Sequence, residues 1–259
     1  VAGTGRGVQP EWMGGHLTRE VARLKSQGAG ICHYKVCSTC DSRPKVGNIG
    51  RAIEIGKMLF NQPVVPVIVG APQLKRYTAF GHLFAAYQGR VFRIDRHPVM
   101  SRHPVTPMDE ADLTVHLSKQ TSLPVSLADL VTIVAADADE RIDRLVKGDD
   151  GILLMDVDST ETQAAAGRQL WRLKNKGGSF VAGSSGVEYA LLNAWRDEGL
   201  IGPKPDFQQP GKVERLAVVS GSVSPTTERQ IRRAVADGFD GIDVDPLELV
   251  GEDAERALE

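Results

Sequence analysis

The sequence predicts an α/β protein: a mostly parallel sheet flanked by helices, in two domains, the second incomplete within this chain. Three observations predict it. Strand-like and helix-like runs alternate from residue 28 to residue 199. The strand-like runs are apolar without alternation, the pattern of strands covered on both faces. The alternation breaks at "IGPKPDFQQPGK" (201–212), which holds three prolines and two glycines and has no periodicity, and then resumes.

In order, "GAGICHYKV" (28–36) reads as a strand and "NIGRAIEIGKMLFN" (48–61) as a helix. Ile49 and Ile53, and Ala52, Ile55 and Leu59, fall at helical spacing. "PVVPVIVG" (63–70) is a buried strand. "MDEADLTVHLSKQT" (108–121) is a helix entered from Pro107, with acidic residues in its first turn. "LVTIVAA" (130–136) is read as a strand, "DERIDRLVKG" (139–148) as a helix ended by glycine, and "GILLMDV" (151–157) as a strand. "TETQAAAGRQLWRLKNKG" (160–177) is a helix, "GSFVAG" (178–183) a strand and "SGVEYALLNAWRDEG" (185–199) a helix with Val187, Leu191 and Trp195 on one face. Right-handed crossovers between such units favour a doubly wound sheet. The predicted domains are 1–200 and 213–259, joined by the linker 201–212. The second opens with a strand, "VERLAVVSG" (213–221), and a helix, "TTERQIRRAVADG" (226–238). "VAGTGRGV" at the start reads as the end of a strand and its loop, and the last residues close no fold, so the expectation is a fragment or the ordered part of a longer chain.

Composition narrows the function. The formal net charge is -2 with 25% charged residues, which argues against nucleic acid as a partner. No apolar run approaches the roughly 18 residues of a membrane span, and no secretory signal is visible. The three cysteines, Cys32, Cys37 and Cys40, are odd and few, as expected in a reducing cytoplasm. Cys37 and Cys40 form a C-x-x-C, but no second pair or nearby His pair completes a zinc site, so small residues filling a tight loop is the favoured reading. No protein-held metal is expected.

The densest chemistry is in "HYKVCSTCDSRPKVGNIG" (33–50), where a strand runs out and a helix begins. Ligands in open α/β sheets bind beyond the carboxyl ends of strands. Lys35 and Arg43 suit an anion, and Arg43 offers a two-pronged fork for a carboxylate. Asp41, Ser38, Thr39 and Ser42 suit sugar hydroxyls. The bland alternative is a capped loop whose polar groups satisfy one another, but such a loop does not need two cations and a carboxylate. A second cluster, "APQLKRYTAFGHLFA" (71–85), follows another strand. Its Arg76 is a better ligand candidate than His82, since a lone histidine among apolar residues is usually structural. In "RIDRHPVMSRHPVTPMDEADL" (93–113), Arg96, His97, Arg102 and His103 suit an anionic substrate, while Asp95, His97 and His103 match no familiar metal spacing. "VAGSSGVEYA" (181–190) and "VVSGSVSPTTERQI" (218–231) each run from a strand through Gly and Ser into a helix, a turn that brings backbone N–H groups to phosphate. They suggest a nucleotide near a cleft between domains, though neither matches the G-x-x-x-x-G-K-[ST] phosphate loop.

Together "YKVCSTCDSRPKVGNIG", "GHLF", "HPVTPMDEADL", "GSSG" and "VVSGSVSPTTERQI", in this order and across nearly the whole chain, resemble the four-carbon acid sugar kinases. The shared Lys-x-x-Ser-Thr-x-Asp-Ser segment is here Lys35, Ser38, Thr39, Asp41 and Ser42. The resemblance implies a cytoplasmic enzyme that uses ATP with Mg²⁺ to phosphorylate a threonate, erythronate or oxo-tetronate type acid. It implies an acid-sugar-binding domain at 1–200 and the start of a nucleotide-binding domain at 213–259, with a homodimer allowed. Carried over, Lys35, Asp41, Ser42 and Arg43 belong to the sugar-acid site, helped by Arg6 and Arg76, with Asp41 and Lys35 the expected catalytic pair. Gly183, Ser184, Ser220, Gly221, Ser222 and Thr226 are the expected nucleotide contacts. The family's Asp-Asp-x-Thr-Gly motif is missing, so the general base is either Asp41 or an aspartate of that motif. A Gly-Gly-Asp-Thr type segment is expected beyond residue 259. "KRYTAFGHLF" stands where many relatives have a Gly-Arg-Thr stretch, which implies a divergent subgroup with its own substrate. The alternatives are a non-catalytic sugar-acid-binding protein and an aldolase or isomerase using Lys35 as a Schiff-base lysine.

Overall fold

A computed structural model describes residues 5–148, 151–222, 224–245 and 247. The chain divides into two compact units, Val1–Lys204 and Pro205–Glu259, and the division falls within the 201–212 stretch.

The first unit is built on a five-stranded, all-parallel sheet. Its strands are β1 (Ile31–Lys35), β2 (Val65–Ile68), β6 (Val125–Ala128), β7 (Ile152–Met155) and β8 (Ser179–Gly183), in the order β1-β8-β2-β7-β6. The three inner strands are buried along their whole length, which explains their unbroken apolar sequences. Alternate residues serve two cores. Ile152, Leu154, Phe180 and Ala182 face α1 (Pro10–Ser26), α2 (Ile49–Phe60) and α3 (Leu113–Ser118). Leu153, Met155 and Val181 face α4 (Leu130–Ile133), α5 (Ala138–Val146), α6 (Thr160–Arg172) and α7 (Gly186–Asp197). Pro66 sits in an inner strand, where a missing N–H is normally costly. Here β2 pairs with β8 only at Val67 and Ile68. Below that point the Gln62 side chain takes the place of a strand, accepting from Phe180 N at 2.7 Å and donating to Phe180 O at 2.9 Å. Gly56 of α2 leaves a notch for the Phe180 ring, and a Cβ there would lie 2.2 Å from it.

Several elements differ from the sequence expectation. The strand expected at 130–136 lies earlier, at β6, and 130–133 is the short helix α4. Asp129 caps it, accepting from Thr132 N at 2.8 Å, and the cap outweighs the β-propensity of "LVTI". The helix expected from 108 begins only at Leu113, because Asp112, itself extended, is its N-cap, and 108–112 lie outside the helix. Helix α1 and a three-stranded antiparallel meander were not expected. The meander is β3 (Arg76–Ala79), β4 (His82–Tyr87) and β5 (Arg90–Arg93). Both of its turns, Phe80–Gly81 and Gln88–Gly89, have positive φ at each central residue, the I′ geometry whose twist suits a tight hairpin.

In the second unit α8 (Pro225–Ala236) forms as expected, with Pro225 in its first turn and Ser224 accepting from Thr227 N at 3.1 Å. The strand expected at 213–221 is absent: these residues are exposed, and no strand of this unit is present among the described residues to pair with them.

Candidate functional site

The carboxyl ends of β1, β2, β7 and β8 and the loops leaving them carry the polar groups. Lys35 is the last residue of β1. It is exposed and makes no ion pair or side-chain hydrogen bond among the described residues. Past it the chain turns tightly, with Cys40 N donating to Cys37 O at 2.9 Å and Cys40 at φ +52°. That turn drives Asp41 inward, where its side chain is fully buried. Thr39 Oγ1 donates to Asp41 Oδ1 at 2.5 Å, Thr106 Oγ1 donates to Oδ2 at 2.9 Å, and Arg6 forms an ion pair with the same carboxylate. Arg6 arrives on a short 3-10 turn (Gly5–Gly7) strapped to the loop, for Gly47 N donates to Val8 O at 3.0 Å. Gly47 has φ +61°, and a Cβ there would stand 2.5 Å from the Arg6 carbonyl oxygen. The Arg6 side chain remains 57% exposed, so Asp41 holds a cation at the surface.

Ser42 points the other way, into a buried trio. Its Oγ lies 2.8 Å from His116 Nε2 and accepts from Gln120 Nε2 at 2.9 Å. Gln120 Oε1 also accepts from Ile49 N at 2.8 Å, tying the trio to the first residue of α2. Burial pushes the His116 imidazole down to about 4, so this histidine is neutral at pH 7. Arg43 donates to Asp109 at 2.9 Å and to the Pro107 carbonyl at 2.8 Å, clasping the loop 97–112.

The meander closes over the end of β7. Thr78 N donates to Val157 O and Val157 N donates to Thr78 Oγ1, both at 2.8 Å. Asp156, 0% exposed, accepts from Gly81 N at 3.1 and 3.3 Å. Burial pushes its carboxyl up to about 6, and the neighbouring Asp129 adds to the shift. Arg76 opens the meander, half-buried and bonded to backbone carbonyls. His33 of β1 lies 3.2 Å from Glu188 of α7 and 3.1 Å from Gly183 O. Burial lowers its pKa, against the pull of Glu188.

At the end of β8, Gly183 and Ser184 are buried, and Ser184 Oγ donates to Val69 O at 2.6 Å while accepting from Gly186 N at 2.9 Å. In the second unit Ser220, Gly221 and Ser222 precede α8, and Thr226 lies in its first turn. Ser220, Gly221 and Ser222 are exposed; Ser222 Oγ accepts from Thr227 Oγ1 at 2.9 Å, and Thr226 Oγ1 accepts from Arg229 at 3.3 Å.

Of the residues expected from the sequence, Arg6 and Asp41 meet directly, Lys35 and Arg43 flank the same loop, Ser42 lies in the buried trio, and Arg76 stands on the meander. Thr106, His116, Gln120 and Asp156 complete the region and were not anticipated. Only Asp156 carried a visible signal, as the first charged residue past an apolar strand.

A family model described as "Sugar-binding N-terminal domain" matches residues 1–191. The chain is 48% identical over 92% of its length to a 3-oxo-isoapionate kinase of Paraburkholderia graminis, covering 51% of that protein. It is 28% identical over 87% of its length to a 3-oxo-tetronate kinase of Cupriavidus necator, covering 50% of it. The chain thus spans about half the length of the curated relatives it matches. A crystal structure of a Haemophilus influenzae protein superposes with a TM-score of 0.67 at 21% identity, over 98% of this chain and 58% of that one, which supports the α/β fold.

Proposed function

From the premise that this chain belongs to the sugar-binding N-terminal domain family of the four-carbon acid sugar kinases, we propose that it supplies the acid-binding part of an ATP-dependent sugar-acid kinase. The substrate is a 3-oxo acid on a four-carbon chain. The 3-oxo-isoapionate type is favoured over the 3-oxo-tetronate type by the higher identity to the first of these relatives, 48% against 28%.

One observation carries the reading: an exposed Lys35, without a partner among the described residues, stands at the carboxyl end of β1, beside a loop whose Asp41 and Arg43 are already held by protein partners. A lysine left without a partner at that position suits an anionic substrate. Arg6 is the second cation, half-exposed and oriented by Asp41. Three protein donors already occupy Asp41, so its assigned part is to hold Arg6 in place, and the proton of the acceptor hydroxyl passes to another group. Arg43, engaged by Asp109, fixes the shape of the loop. ATP enters as a substrate with its Mg²⁺. The exposed hydroxyls of Ser220 and Ser222, ahead of the amino end of α8, fit its phosphates. Phosphoryl transfer needs positioning and charge neutralisation above all, which such cations supply.

The test is ADP release by the protein expressed from its complete gene, with ATP–Mg²⁺ and 3-oxo-isoapionate, 3-oxo-tetronate, threonate or erythronate in turn. Turnover fastest with a 3-oxo acid is expected. Acid binding without ADP release from any of the four would leave a binding protein in place of a kinase.

A further inference from the structure

The inference below rests on the sugar-acid reading and identifies the atoms that take the carboxylate. Arg76 is unevenly used. Its Nη1 donates to the carbonyls of Leu74 and Lys75 at 3.1 Å and of Ala86 at 3.4 Å. Its Nε is buried with no partner, and Nη2 makes no hydrogen bond among the described residues. One corner of the guanidinium is therefore tied to the backbone, while the opposite Nε–Nη2 edge is unsatisfied. That edge carries two parallel N–H groups, the geometry that matches a carboxylate. A buried donor without an acceptor is uncommon enough in a native fold to call for a cause. Cys37, in the loop that leaves β1, lies close enough to Arg76 to act on its charge, which puts Arg76 near that loop.

His97 supplies the second observation. Its side chain is almost wholly buried, at 4% exposure. Nδ1 accepts from Val99 N and Met100 N, both at 3.2 Å, which leaves the ring proton on Nε2. Nε2 has no hydrogen-bond partner among the described residues. The Ala86 carbonyl is close enough to favour the protonated ring yet lies outside hydrogen-bond geometry. It is the same carbonyl that takes the long bond from Arg76. Burial, and then the Arg76 cation, hold the His97 pKa low, so the ring stays neutral and adds no charge. Two donors thus share one lightly used acceptor, and Arg76 can turn toward a ligand without orphaning Ala86.

We propose that the Nε–Nη2 edge of Arg76 binds the carboxylate of the sugar acid, with His97 as a positioning residue that serves the Ala86 carbonyl when Arg76 engages.

Calorimetric titration of the 259-residue chain with threonate and erythronate, and with the uncharged threitol and erythritol, tests this. The wild-type chain is expected to prefer acid over polyol. Arg76→Lys keeps the charge but loses the edge; Arg76→Gln loses both. Each is expected to weaken the acids at least about tenfold and leave the polyols unchanged. His97→Asn, which retains an acceptor near Nδ1 but no donor near Nε2, is expected to weaken the acids about threefold or more, and His97→Gln, which restores that donor, to recover them. Urea midpoints identify any variant that folds poorly, and its companion at the same position then decides. Acid binding within twofold of wild type in the folded Arg76 variants overturns the inference and leaves the sugar-acid reading standing. A wild-type chain that does not distinguish acid from polyol overturns both.

Discussion

Asp156 makes the stability of this protein depend on pH in a direction opposite to that of most carboxylates. It is fully buried at the end of β7, beneath the Phe80–Gly81 turn, and its pKa is raised from 3.8 to about 6. A raised carboxyl binds its proton more tightly folded than unfolded. The stability it contributes is therefore complete below pH 4 and is lost as pH rises through 6. A shift of that size corresponds to about 3 kcal/mol, at about 1.36 kcal/mol per pH unit. About half of this, roughly 1.4 kcal/mol, falls between pH 5 and pH 8, where the protein is convenient to study. Asp156→Asn cannot ionise. It keeps an oxygen for the Gly81 N–H, and any misfit of its NH₂ group is independent of pH. The variant should gain on the wild type by about 1.4 kcal/mol between pH 5 and 8, a relative shift in urea midpoint of about 0.5 M at an m-value near 3 kcal/mol per M. The assay is paired urea denaturation across that range, read as the difference between the two proteins. A difference constant to within about 0.5 kcal/mol would refute the reasoning, because a carboxyl in contact with water owes no such penalty.

Three further outcomes follow from contacts in the site. Lys35→Gln should leave the unfolding free energy within about 0.5 kcal/mol of wild type in urea, since Lys35 has no partner to lose among the described residues, yet lower the ADP release proposed for the protein expressed from its complete gene about a hundredfold; unchanged turnover would remove Lys35 from the site. Asp41→Asn sets an NH₂ group among donors from Arg6, Thr39 and Thr106, and should cost about 2–3 kcal/mol in urea denaturation as well as turnover; a wild-type midpoint would mean that the three contacts do not persist in solution. Gly47→Ala meets both a left-handed backbone and the Arg6 carbonyl, and should cost at least about 1–2 kcal/mol by the same measurement; no loss would mean that the Arg6 strap is loose.

Much of the fold was legible because the inner strands are apolar on both faces and the helices α2, α6 and α7 repeat their buried residues every three or four positions. What was lost has physical causes. The meander escaped notice because its I′ turns are Phe80–Gly81 and Gln88–Gly89, and neither has the Asn or Asp that usually marks such a turn. Strand β6 was overshadowed by the more apolar run after it, which Asp129 turns into a helix. Helix α1 did have a readable signal, with Pro10 in its first turn and Met13, Leu17 and Val21 four residues apart. Within the site, the polar density of residues 35–43 stood out, but the part played by each side chain did not. Asp41 meets Arg6 from 35 residues away and Ser42 meets His116 from 74 away. Local patterning carries no record of such encounters. Whether Lys35 ends free and Arg43 engaged is decided by which acidic residue the rest of the chain delivers, here Asp109.

The notch at Gly56 sets how this binding region can change. The Phe180 ring occupies it as a key occupies a slot, and Gly50 of the same helix is pressed against the Gln120 backbone, where a Cβ would stand 2.7 Å from the carbonyl oxygen. Helix α2 cannot slide, and β1 is pinned to β8 residue by residue. The length of chain bridging them is consequently fixed from both ends. An added or deleted residue there has no slack to take it up, so a new substrate preference must come from exchanging side chains on a rigid span.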